Sequence, residues 1–149
     1  MSHSTSTSPK TPYQILGEQG IRQLADTFYD VMNEQPQAET IRAMHNANLD
    51  LIKDKLYEYL TGWMGGPPLY ASKYGTVCLT DPHKPYPIGP DERDQWLACM
   101  DEALKRIGAS EELQQMLKGP MYLVADAVRN RDTSEPVERR PNEIPLTNL

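Results

Sequence analysis

The sequence lacks the features that mark several classes of protein. Its 149 residues hold only two cysteines, Cys78 and Cys99, without a metal-type spacing, so we expect reduced thiols and no disulfide framework. No apolar run is long enough for a transmembrane span or a signal peptide, which predicts a cytoplasmic protein. The chain also shows no internal repeat and no convincing strand pattern. These absences leave an intracellular helical protein as the expected class.

Dense clusters of basic residues are missing as well. The formal net charge is −6 and the isoelectric point is about 5.0. An acidic surface repels nucleic acids and anionic membranes, so we expect neither as a partner. The length suits one domain with a real core. We expect a flexible N-terminal tail over residues 1–10, a helical domain over 11–131 and a flexible C-terminal tail over 132–149.

Apolar residues recur at helical spacing along most of the chain. Thr11 and Pro12 are typical of a helix start, and they predict a short helical turn that ends at Gly17 and Gly20. The further predicted helices cover about 21–32, 37–44, 49–64, 90–108 and 110–129, the last with a kink at Gly119-Pro120. Glycines and prolines at 65–68 end the third of these abruptly. The pattern predicts an all-α fold around a central cleft.

A connector of roughly twenty residues, 69–89, interrupts this helical pattern, and a loop of that length is usually functional. It contains Pro82, Pro85 and Pro87, which fix φ and remove backbone donors. His83 is therefore presented from a stiff piece of backbone. Such stiffness suits a metal ligand and equally suits a rigid surface connector, and local chemistry alone leaves both interpretations open.

Three motifs stand in order along the chain: LTGWMGGPPLY at 60–70, HKPYPIG at 83–89 and ERDQWLACM at 92–100. Together with Phe28-Tyr29 and the segment 41–45, they resemble the group II truncated haemoglobins, the bacterial two-over-two globins. The resemblance covers about residues 13–131. It implies that the domain over 11–131 is a globin domain, a two-over-two helical sandwich around haem b, which is iron protoporphyrin IX.

The resemblance also implies the residues of the haem site. His83 is expected to be the proximal iron ligand. Tyr29, His45 and Trp96 match the polar cluster on the other face of the iron, where each can donate a hydrogen bond to bound oxygen. One such donor stabilises the ligand by roughly 1.5–3 kcal/mol, so three would hold it tightly.

Further haem contacts are expected from apolar and aromatic residues. These are Ile52, Leu56, Trp63, Tyr70, Tyr86 and Ile88. Ile52 matches the distal-histidine position of larger globins, and isoleucine cannot donate a hydrogen bond. Ordinary helix packing explains Leu56 and Trp63 equally well.

The match departs from the family at one charged position. Relatives commonly carry an arginine directly before the proximal histidine, whereas this chain has Asp81 and Pro82 there. Arginine at this place can pair with a haem propionate. Lys84, Lys73 and Tyr70 are the substitutes that the sequence offers.

The expected function is reversible binding of O2, with CO, NO and other small ligands as alternatives, in oxygen transport or in detoxification. The same donors can polarise a peroxide O–O bond, so a carrier, an NO dioxygenase and a peroxidase are not separated. A reductase partner would return ferric iron to the ferrous state. Two other classes stay open, a haem-based gas sensor and a haem-free helical interaction protein. The sequence also leaves open a monomer or a homodimer, and internal iron coordination by Tyr29 or His45.

Overall fold

The computed structural model describes residues 10–75, 78 and 80–134. Within these residues there are seven α-helices and no strand, which confirms the predicted all-α class. The helices are α1 (Pro12–Glu34), α2 (Glu39–Arg42), α3 (Asp50–Trp63), α4 (Leu69–Tyr74), α5 (Thr80–His83), α6 (Pro90–Arg106) and α7 (Glu111–Ala127). A 3₁₀ turn, Pro36–Ala38, precedes α2. Most of the two predicted tails, residues 1–9 and 135–149, lies outside the described residues.

Helix α1 joins two segments that the sequence pattern separates. Its start is the predicted one: the Thr11 hydroxyl accepts a hydrogen bond from the Gln14 backbone N–H at 3.1 Å, and the Gln14 side chain accepts from Thr11 N–H at 2.9 Å. The predicted boundary at Gly20 is wrong, because the backbone leaves the helical region only at Gly17, with φ 73° and ψ 172°. Glycine tolerates this positive φ, so the chain changes direction there and then continues helically to Glu34.

Helix α3 ends where the glycines and prolines predict. Gly65 takes φ 98°, and the next residue, Gly66, packs directly against the Tyr13 ring. A Cβ on Gly66 would lie 2.4 Å from Tyr13 Cδ1, so this close approach requires glycine. The Tyr13 N–H also donates to the Met64 carbonyl at 2.9 Å. The end of α3 is thereby tied to the beginning of α1.

The long helices form two layers. Helix α1 packs against α3 in one layer and against α6 across the layers, and α6 packs against α7 in the second layer. Between them lies an apolar core in which Ile21, Leu24 and Phe28 of α1 are fully buried. Helix α7 runs without interruption through Pro120, where the sequence predicted a kink. No helix in the described part of the chain is long and apolar enough to cross a membrane.

The connector over 69–89 contains two short helices, α4 and α5, that periodicity did not reveal, since each is too short to show an apolar stripe. His83 is the last residue of α5. Neither helix contains a buried residue. Both therefore lie at the surface of the two-layer core, and each contributes residues to the cleft described next.

Candidate functional site

A single open cleft of about 370 Å³ collects most of the residues singled out in the sequence. This volume lies within the usual range of ligand pockets. Its walls come from all seven helices of the described residues and from segments between them. The lining residues are Tyr29, Ile41, Met44, His45, Ile52, Lys55, Leu56, Tyr59, Tyr70, Cys78, Pro82, His83, Tyr86, Ile88, Glu92, Arg93, Trp96, Val124, Ala125 and Val128.

Nine of the ten predicted haem contacts line this cleft. The exception among the described residues is Trp63, which packs against the hydrophobic core at the end of α3. Core packing is one of the two explanations that the sequence left open for Trp63, and its haem contact stays a prediction. Leu56, for which both explanations were open, does line the cleft.

Ring contacts through Phe28 and Tyr29 connect the three residues of the predicted polar cluster. The Phe28 ring lies 4.9 Å from the Tyr29 ring and 5.1 Å from the Trp96 ring, measured between centroids. The Tyr29 and His45 rings are 5.5 Å apart. Burial raises the pKa of the Tyr29 phenol, which therefore keeps its proton at neutral pH. Tyr29 and Trp96 thus offer an O–H and an N–H donor to the cleft.

His45 differs from the other two because its ring nitrogens have separate roles. Its Nδ1 lies 2.7 Å from the Ile41 carbonyl oxygen, and a carbonyl only accepts, so Nδ1 carries the proton. Burial lowers the His45 pKa, and the positive charge of Arg42 and the nearby His83 lower it further. The neutral ring consequently has an accepting Nε2. The expected donor role of His45 is available only to the charged imidazolium.

Two cationic side chains line the cleft, and only one of them is bound to carboxylates. Arg93 pairs with Asp94 and with Asp126, each at 3.0 Å. Lys55 forms no carboxylate pair within residues 10–75, 78 and 80–134, and its Nζ lies 5.4 Å from the Tyr74 ring centroid. It is therefore the cation available to an anionic ligand.

The substitutes for the absent arginine are differently placed. Lys84 pairs with Asp81 at 3.1 Å, and Lys73 pairs with Glu58 at 3.0 Å; neither lines the cleft. Tyr70 does line it.

Sequence reasoning missed Lys55 and Tyr59 on α3 and Val124 on α7 as cleft residues. Lys55 sits next to Leu56, and helical spacing alone assigns it to the solvent side of an amphipathic helix. Tyr59 and Val124 belong to the apolar stripes, which are usually core. Of these three residues, only Lys55 could have been predicted from the sequence. The usual arginine is absent, and a haem propionate needs some other cation.

This set of groups fits a haem. An imidazole, His83, faces a cleft whose other walls carry flat and branched apolar groups such as Ile52, Leu56 and Val124. Imidazole is a standard axial ligand of haem iron. The same cleft is lined by two donors, the buried Tyr29 and the half-buried Trp96, and Lys55 supplies a positive charge for a propionate. Within the described residues no cluster of three or more histidine, cysteine or carboxylate side chains offers an alternative metal site.

Comparison with known proteins agrees with this geometry. Residues 11–130 match the bacterial-like globin family. The chain is 33% identical over 124 residues to the group 2 truncated hemoglobin YjbI of Bacillus subtilis strain 168, which covers 83% of this chain and 92% of that protein.

Two solved structures extend the comparison to the fold. A group II 2-on-2 hemoglobin from Agrobacterium tumefaciens is 36% identical, with a TM-score of 0.77 over 84% of this chain and 98% of that one. The truncated oxygen-avid haemoglobin from Bacillus subtilis is 34% identical, with a TM-score of 0.73 over 81% of this chain and 100% of the other. This chain therefore belongs to the bacterial-like globin family, as a truncated haemoglobin of group II with the two-over-two helical fold.

Proposed function

We propose that this globin binds haem b through His83 and uses Tyr29 and Trp96 to retain O2 and related diatomic ligands. Membership in the family implies haem and small gaseous ligands. The observation that carries the finer assignment is the meeting of these three side chains in one cleft. When bound, haem supplies the iron to which such ligands attach. The oxygen avidity named for the similar Bacillus subtilis protein supports O2 as the ligand.

The protein residues act on the ligand by hydrogen bonding from a wall that excludes water. The side chain of Tyr29 is 95% buried, and its neighbour Phe28 is wholly buried. Bound O2 carries partial negative charge, so a buried O–H or N–H stabilises it by roughly 1.5–3 kcal/mol, about one to two decades in dissociation rate. Ile52 adds no donor. Retention of bound O2 by this protein therefore depends on Tyr29 and Trp96. His45 contributes a donor only when its ring is protonated.

The decisive experiment is the absorption spectrum of the protein before and after haem addition, reduction and exposure to O2 or CO. We expect a strong Soret band that shifts with each ligand in the parent. His83→Gly should lose the normal ferrous spectrum and regain it when free imidazole is added, because the vacated site admits the ring. His3→Gly, in the predicted N-terminal tail, is the matched control and should resemble the parent. Absence of haem uptake by the parent would favour the haem-free interaction protein.

A second activity, peroxide turnover, is favoured by the state of His45. Its unprotonated Nε2 can take a proton from hydrogen peroxide, which is the work of a general base in this chemistry. His45→Gln should slow the reaction with hydrogen peroxide by about a hundredfold, the lower end of general-base effects. O2 dissociation at pH 7.5 should change less than threefold. Equal rates with peroxide in both proteins would remove the peroxidase proposal.

Transport, NO detoxification and a reductase partner are proposals that follow from the expected haem chemistry, and a cytoplasmic setting is a proposal from the sequence pattern. Sequential addition of NO to the O2-bound protein, followed by nitrate analysis, separates the dioxygenase from a simple carrier.

Size-exclusion chromatography with light scattering separates a monomer from a homodimer. A sensor would require a partner whose binding changes with ligation.

A further inference from the structure

The segment that carries His83 has almost no apolar anchor of its own. Helix α5 contains no buried residue, residues 84–87 are exposed, and the first buried side chain is Ile88. Three prolines in the segment provide no N–H groups. Within the segment, the Lys84 N–H donates to the Asp81 carbonyl at 3.3 Å and the Tyr86 N–H donates to the His83 carbonyl at 3.0 Å. Contacts from outside the segment add to its hold.

Asn130, just beyond α7, supplies that hold through its side-chain amide. Its Nδ2 donates to the His83 carbonyl at 3.2 Å and to the Tyr86 carbonyl at 2.8 Å. Its Oδ1 accepts from the Ile88 N–H at 3.0 Å. The backbone N–H groups of Asn130 and Arg131 both donate to the Ile88 carbonyl, at 2.8 and 3.1 Å. One residue therefore bonds to three positions spread across the proline-rich segment.

A second contact further along fixes the other end of the same segment. The Ser134 hydroxyl donates to Glu92 Oε1 at 2.8 Å and accepts from the Asp91 N–H at 2.9 Å. Glu92 Oε1 also accepts from the Gly89 N–H at 2.7 Å. Gly89 lies so close that an added Cβ would be 2.5 Å from Ser134 Oγ. Residues 130–134, which we call the strap, thus run against the backbone from His83 to Glu92. Residues 132–134 of the strap belong to the predicted C-terminal tail.

We propose that Asn130 is a positioning residue, which sets where His83 faces the cleft by holding its backbone through the strap. The proposal rests on the proposed role of His83 as the iron ligand. An axial ligand must be held in one place for its ring to meet the iron in one orientation. With no apolar anchor on α5, the bonds from Asn130 to the His83 and Tyr86 carbonyls do this. Haem retention in this protein therefore depends on a residue 47 positions beyond His83.

The test compares hydrogen exchange and haem binding in the full chain for the parent, Asn130→Ala and Asn130→Asp. The peptide over 83–89 reports the amides of Tyr86, Ile88 and Gly89, because prolines have no N–H and a peptide loses the label on its first two residues. Asn130→Ala should speed exchange at Ile88 about tenfold, which is the effect of losing one hydrogen bond. Asn130→Asp keeps the acceptor for Ile88 N–H but sets a carboxylate against two carbonyls. It should preserve Ile88 protection better than alanine does and still weaken the hold on His83.

Measurements on the haem-loaded variants test whether Asn130 positions the His83 ring. We expect the iron–histidine stretching band of the ferrous form to shift or broaden in Asn130→Ala, with haem loss about tenfold faster. Gly89→Ala disturbs the strap independently, at its other end, by displacing Ser134, and should change haem loss in the same direction. Asn33→Ala is the matched control, because it removes an asparagine that bonds Arg42 Nε, away from His83.

Each outcome decides the proposal. Unchanged exchange over 83–89 would show that the strap does not hold this segment. An equal increase in peptides of α1 and α6 would show that Asn130 stabilises the whole fold and not this segment. Faster exchange over 83–89, with an iron–histidine band and a rate of haem loss like those of the parent, would show that Asn130 does not position His83. If the parent takes up no haem, the proposed function fails, while exchange in the unloaded chain still shows whether Asn130 holds the His83 backbone.

Discussion

At the scale of single residues, His45 links protonation to stability. The folded ring has a pKa below the ordinary 6.5 because it is buried, so the unfolded chain binds more protons below that pH. The stability that comes with the neutral ring is complete above about pH 6.5 and is lost as pH falls toward the folded pKa. His45→Gln should therefore flatten the fall in unfolding free energy between pH 7.5 and 5.5. Urea unfolding at both pH values tests this, and parallel losses in the two proteins would contradict it.

The cations near the cleft give a second prediction at this scale. Lys55→Met should speed haem loss about two- to fivefold, because a partly exposed ion pair contributes roughly 0.5–1 kcal/mol. Lys73→Met is the matched control, since Lys73 pairs with Glu58 and does not line the cleft. Pro82→Arg should slow loss, because Pro82 does line the cleft and an arginine there can reach a propionate. Transfer of haem to an excess of apomyoglobin measures all three. Equal rates for Lys55→Met and Lys73→Met would remove the propionate assignment.

At the scale of elements, the junction of α3 with α1 depends on a glycine. Gly66→Ala should destabilise the fold by about 1–3 kcal/mol, because the new Cβ would overlap the Tyr13 ring. Gly119→Ala is the opposite case. It lies within α7 with open space around it, so alanine should stabilise the helix by up to about 1 kcal/mol. Urea unfolding measures both changes, and equal effects of the two substitutions would show that packing against Tyr13 is not the cause.

At the scale of the whole molecule, the cleft between the layers couples haem binding to folding. A ligand that binds only the folded chain adds about 2.7 kcal/mol at one hundred times its dissociation constant. We expect haem to raise the thermal unfolding midpoint of the parent clearly and that of His83→Ala much less. Thermal melts followed by circular dichroism, with and without equimolar haem, make the comparison. An identical rise in both proteins would separate haem binding from His83.

The sequence by itself determined the helical class, the starts of the long helices and the family. These features depend on interactions among a few neighbouring residues, so the local sequence predicts them. Examples are the capping residues Thr11 and Ser110, the helix-ending Gly65 and the motif around His83. Helix α5 escaped detection because four residues cannot display a periodicity.

Only the tertiary structure decided the parts that depend on contacts between distant positions. It packed Trp63 against the hydrophobic core, and it brought Lys55 to the cleft wall. It gave His45 an accepting Nε2 by placing Nδ1 against the Ile41 carbonyl. It placed Asn130 on the carbonyls of the segment that carries His83. Hydrogen-bond partners far apart in the chain leave no pattern in the sequence, because their geometry exists only once the layers have packed.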